Sequence, residues 1–108
     1  MTTAHSSYAR QAVKLMGQLI RMKRLEHKLT AEELATRAGI SRSLLQRIEK
    51  GELGTAIGSV FEVAAILGLA LFDMDKAALN AALAQTQDRL TLLPKSARMP
   101  TGTVKDDF

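Results

Sequence analysis

The chain of 108 residues has no cysteine and no tryptophan, and only 4% of it is aromatic. Without cysteine there is no disulfide framework and no thiolate metal site. With so few aromatics a core must be aliphatic, and a 46% hydrophobic content supplies it. Small helical domains are commonly built this way. No apolar run approaches membrane-spanning length, and the N-terminus lacks a signal-peptide core, so a cytoplasmic protein with no membrane partner is expected.

Catalytic chemistry is equally sparse. His5 and His27 are far apart, and neither has carboxylates at metal-ligand spacing, so no metal site is expected. The serines lack a base partner or nucleophile elbow. Gly51, Gly54 and Gly58 match no phosphate-cradling or dinucleotide fingerprint. The expectation is no enzyme, no catalytic residue and no cofactor, with His27 an ordinary helix-end residue.

The charge is unevenly placed. Residues 1–50 carry ten Lys/Arg against four Asp/Glu, residues 51–90 two against five, and residues 91–108 three against two. The net charge of +4 therefore conceals a strongly basic first half. A phosphate-binding face requires such a half, although Lys and Arg also simply solubilise helix surfaces.

Within that half, Leu29 to Gly51 reads LTAEELATRAGISRSLLQRIEKG. Thr30 and Glu33 have the spacing of a capping box. Leu34, Ala35 and Ala38 give a short apolar stripe, and Ala35 is small enough for a close helix crossing. Gly39 suits a left-handed turn. Ile40 would drop into the core and Ser41 would cap a second helix. Leu45 and Ile48 then face inward, which leaves Arg42, Ser43, Gln46 and Arg47 outward, and Glu49, Lys50 and Gly51 close the helix. Each signal alone is weak. Together they have the spacing of a helix-turn-helix whose second helix is offered to the DNA major groove.

The candidate DNA-binding residues follow from this layout. Ser41, Arg42 and Ser43 sit at a helix N-terminus, where amides and dipole favour phosphate. Arg42 suits a guanine edge or a phosphate, Gln46 suits adenine, and Arg47 suits guanine or backbone. Arg37 and Lys50 are phosphate candidates, and Thr30 completes the set. One recognition helix buries too little to find a site in a genome, so a homodimer on a palindromic double-stranded operator is expected.

The segment, with the preceding MGQLIRMKRLEHK and the following IGSVFEVAAILGL, resembles the xenobiotic-response-element family of phage-repressor and Cro-type domains, from about Leu15 to Phe72. The resemblance implies an all-α, lambda-repressor-like bundle of four or five helices, with the second helix over 31–38 and the recognition helix over 42–49. It also implies an ion pair between Arg24 and Glu49 that braces the first helix against the recognition helix. Two departures stand out. Lys28 occupies a turn often made by Gly. Ala31 replaces a Gln that touches DNA in many members, so the recognition helix must carry more of the specificity.

The rest of the chain divides as follows. Residues 1–8 are a polar, flexible start, and residues 9–75 form the helix-turn-helix domain, whose first helix runs from about Ala9 to His27 with Val13, Met16, Leu19 and Ile20 inward. Met22 and Leu25 lie off that stripe. Glu52 to Ile57 reads as a loop, and a fourth helix runs from about Ser59 to Gly68, apolar on more than one face and therefore buried centrally or at a dimer interface. Asp75 caps a C-terminal helix over 76–90, whose Leu79, Leu83 and Leu90 add to the candidate interface. Residues 91–108 form a tail holding both prolines, flexible or partner-binding. IGSVFEVAAILGL, DRLTLLPKSARMP and the final KDDF resemble HipB-like antitoxins paired with HipA-type serine/threonine kinase toxins. That resemblance implies a nucleoid-associated repressor that autoregulates its operon and binds a HipA-like toxin, in some related systems with a third protein. The alternatives are a stand-alone repressor, or a protein-interaction module that has lost DNA binding, which Ala31 favours and Arg42, Gln46 and Arg47 oppose.

Overall fold

The computed structural model describes residues 5–96, and the described residues form helices and turns without a strand. The order is α1 (Ser7–Glu26), α2 (Ala31–Ala38), α3 (Arg42–Glu49), α4 (Ile57–Ile66), a 3₁₀ turn (Leu71–Asp73) and α5 (Lys76–Thr91). The fold is all-α. The chain divides into two compact units, one ending at Asp73 and the other beginning at Met74.

Capping chemistry sets most of the helix ends in the first unit. The Ser6 hydroxyl accepts from Ala9 N at 3.1 Å, so α1 begins two residues before the expected Ala9 and takes in Ser7 and Tyr8. Of the rest of the expected flexible start, residues 1–4 lie outside the described residues. α1 ends at Glu26, and Lys28 takes a left-handed conformation (φ 58°) while its neighbour Leu29 N donates to Arg24 O at 3.1 Å. Both halves of the capping box are made at α2: Glu33 N donates to Thr30 Oγ1 at 3.0 Å and Thr30 N donates to Glu33 Oε1 at 2.8 Å. α4 begins at Ile57, two residues before the expected Ser59. No side chain caps it: Ala56 precedes the helix in an extended conformation, and its carbonyl accepts the first intrahelical bond from Val60 N at 3.1 Å.

The core is aliphatic: Ile20 of α1, Leu34 and Ala35 of α2, Leu45 and Ile48 of α3, Val63 and Ala64 of α4, and Leu67 beyond it. Met16 and Ile40 pack against this cluster from its margin. Val13 and Leu19, expected inward with Ile20, are only half-buried. α4 buries Val63 and Ala64 but leaves Ile57 67% exposed. Its Phe61 meets Phe72 edge-on, with ring centroids 6.1 Å apart, and Phe72 and Asp73 both take left-handed backbone angles (φ 55° and 58°).

α1 comes unusually close to the end of α3. A β-carbon at Gly17 would collide with the backbone carbonyls of Ile48 and Glu49, and one at Gly51 (φ 76°) would fall 2.7 Å from Lys14 Cα. Glycine at position 17 is therefore required by contact and not by conformation, since it sits inside a regular helix. In the second unit, Asp75 Oδ1 accepts from Ala78 N at 2.8 Å and opens α5. α5 buries none of its residues within the chain and ends at Thr91, and Leu83 and Leu90 are exposed. Residues 97–108, with the KDDF segment, lie outside the described residues.

Two outcomes follow. Gly17→Ala should lower stability by about 1–3 kcal/mol in denaturant melts, the usual cost of overpacking, even though alanine is the better helix former. The second concerns acid. Hydrogen bonds from Thr30, its backbone amide first, hold the Glu33 carboxyl below its ordinary value of 4.5. A lowered folded pKa stabilises the fold above that ordinary value and ceases to do so as pH falls through the lowered one. The stability gap between wild type and Glu33→Ala should therefore be full at neutral pH and narrow as pH falls below 4.5.

Candidate nucleic-acid interface

The turn between α2 and α3 is short because Gly39 is left-handed (φ 70°), its amide donating to Thr36 O while Ile40 N returns to Ala35 O at 3.0 Å. Ile40 anchors the turn in the core margin. The Ser41 hydroxyl then accepts from Leu44 N at 3.0 Å and starts α3. Along α3, Leu45, Ile48 and Glu49 are buried, while Arg42, Ser43, Gln46 and Arg47 are exposed. With 3.6 residues per turn, these four share one side of the helix. Lys50 follows them as the exposed C-cap.

The tilt of α3 is held by a buried charge pair. Arg24 Nε donates to Glu49 Oε2 at 2.7 Å and Nη2 donates to Oε1 at 3.0 Å. The third nitrogen, Nη1, donates to the Leu29 carbonyl at 3.0 Å. Arg24 is 7% exposed and Glu49 9%. Hydrogen bonding to the Glu49 carboxylate raises the Arg24 pKa against the opposing effect of burial, so the guanidinium stays charged. The two-pronged geometry fixes both distance and rotation between α1 and α3.

The remaining candidates fall in two places. Thr30 and Arg37 line one open hollow beside α2, with Glu32, Glu33 and Thr36. The Thr30 side chain is already engaged in the capping box, where its oxygen accepts from Glu33 N. Gln46 and Lys50 line a second hollow, of about 420 Å³, with Glu49 and Arg21. Neither Arg21 nor Gly17 is singled out by the sequence reading. An interior glycine in an amphipathic helix is a recognisable sign of close packing. Arg21 gives no such sign, because its neighbours come from α3.

Removing one member of the buried pair leaves the other uncompensated. Glu49→Ala should cost about 3–5 kcal/mol in unfolding free energy, whereas the joint change Arg24→Met with Glu49→Leu should be far milder. A double-mutant cycle in denaturant checks this.

The arrangement is a short, capped helix presenting two arginines, a serine and a glutamine on one side, opposite an aliphatic core. The helix-turn-helix family model matches residues 20–73, half of the chain, which takes in the end of α1, all of α2 to α4 and the 3₁₀ turn. No curated protein and no solved structure matches the chain. The chain belongs to the helix-turn-helix family, of the Cro/C1 type, and is a DNA-binding regulator of transcription.

Proposed function

We propose that this protein is a sequence-specific repressor that binds a palindromic operator as a two-fold homodimer, and that it is the antitoxin of a type II toxin–antitoxin module. It represses its own operon from the nucleoid, performs no catalysis and binds a HipA-like serine/threonine kinase toxin, with or without a third protein. The observation that carries the repressor reading is the exposed side of α3, where Arg42, Ser43, Gln46 and Arg47 stand together above buried Leu45 and Ile48. Arg42 and Arg47 supply forked donors for guanine or phosphate, Gln46 supplies a paired donor and acceptor for adenine, and Ser41 and Ser43 stand where the helix dipole attracts phosphate. Thr30, Arg37 and Lys50 flank this face as backbone contacts.

The antitoxin reading is supported by the likeness of IGSVFEVAAILGL, DRLTLLPKSARMP and KDDF to HipB-like chains. Exposed apolar side chains on α4 and α5, among them Ile57, Leu83 and Leu90, are in keeping with a protein that associates with itself and with a partner. A stand-alone repressor would share the α3 chemistry and lack the toxin.

Arg42→Ala or Arg47→Ala should weaken operator binding by about 1–3 kcal/mol and relax preference at one base position, as read by binding to a panel of operator variants. Equal weakening on every sequence would assign that arginine to phosphate instead. To separate the antitoxin from the stand-alone repressor, the tagged chain is recovered from its native cells at low salt, and bound protein and DNA are identified together. A kinase-like protein with a palindromic fragment supports the antitoxin. DNA without a protein partner leaves the repressor alone. Sedimentation at micromolar concentration should show a dimer, and a monomer there contradicts the two-fold operator.

A further inference from the structure

Arg21 contributes no side-chain hydrogen bond to the fold among the described residues. It lies on α1, three residues before Arg24, with its side chain 60% exposed, and its Nη1 is 3.8 Å from Glu49 Oε1. That separation is too long for a hydrogen bond. Glu49 does not need it either, because both of its carboxylate oxygens already accept from Arg24, at 2.7 and 3.0 Å. An exposed contact of this kind contributes little to stability. Arg21 is thus a cation parked beside an anion whose charge another guanidinium already compensates.

Its surroundings point to a ligand. Arg21, Gln46, Glu49 and Lys50 line the same open hollow. Arg42, Gln46 and Lys50 are four residues apart, so they form a row up the outward side of α3, and the hollow extends that row onto α1. With Glu49 compensated by Arg24, the exposed charges of the hollow are those of Arg21 and Lys50. A forked guanidinium, an ammonium and a carboxamide N–H₂ are all donors, and together they match the oxygens of a phosphate.

We propose that Arg21 is a further DNA-contacting residue, which binds a backbone phosphate of the duplex in this hollow together with Lys50. The inference rests on the reading that α3 enters the major groove. It adds a contact from α1, outside the helix-turn-helix, that fixes position on the duplex without reading sequence. On binding, Arg21 exchanges its long contact with Glu49 for the phosphate, and the Arg24–Glu49 pair stays intact.

The test uses the full chain and a random-sequence DNA duplex, with affinity measured over a series of salt concentrations. Arg21→Gln should make the slope of log K against log salt shallower by about 0.9, the value of one phosphate contact, and leave the melting temperature unchanged. Arg21→Lys should keep the wild-type slope. Lys23→Gln removes the same charge from the far side of α1, about 200° around the helix, and should leave the slope unaltered. A wild-type slope in Arg21→Gln, with or without a lower melting temperature, overturns the proposal, as does an equal change in Lys23→Gln. A wild-type protein that binds no duplex at all overturns instead the reading of α3, and this proposal with it.

Discussion

The geometry of the helix-turn-helix and its attachment to α1 depends on one buried carboxylate. Glu49 sits at the end of α3 and is gripped through both oxygens by Arg24 of α1, while the same guanidinium holds the Leu29 carbonyl in the turn before α2. One side chain thus ties α1, the α1–α2 turn and α3 together. A pair this buried adds little net stability, because desolvating both charges offsets most of their attraction. What it supplies is direction: hydrophobic packing of Leu45 and Ile48 tolerates rotation of α3, and a two-pronged hydrogen bond does not.

The pair can form only because the two helices touch almost backbone to backbone. Gly17 lies against the carbonyls of Ile48 and Glu49, and Gly51 lies against Lys14. With a side chain at Gly17, α1 would stand away from α3 and the guanidinium could not reach in its present geometry. α3 has eight residues, too few to hold a helix alone in water. Its form depends on the Ser41 cap, the aliphatic core beneath it and the brace at its end. The surface it presents is therefore a product of the whole first unit.

The second unit obeys different constraints. α5 has a good cap in Asp75 and good helix formers, yet it buries none of its residues within the chain. Its exposed leucines, and Ile57 and Phe72 in the first unit, carry apolar area that the monomer leaves in contact with water. Such area is costly to hold exposed when it is contiguous, and association is the usual way to cover it.

How much of this was legible depends on the distance over which each signal acts. The Thr30–Glu33 box, the left-handed Gly39, and the Ser41 and Asp75 caps all link residues at most three positions apart, so residue identity and spacing alone determine them. The inward placement of Leu34, Leu45 and Ile48 follows from helical period in the same way. The early starts of α1 and α4 escaped because weak local options competed: Ser6 capped where Tyr8 was taken as the boundary, and Ala56 served without a polar side chain. The Arg24–Glu49 pair spans 25 positions, and the residues alone did not reveal it; only family resemblance implied it. The collision that makes Gly17 obligatory and the hollow that Arg21 shares with Gln46 and Lys50 were not visible at all. The sequence by itself determined which segments are helical and which side of α3 is polar, because propensity, capping and periodicity are local. Tertiary structure alone decided how closely α1 approaches α3 and which charges meet there, because those distances arise only when the core of the first unit closes.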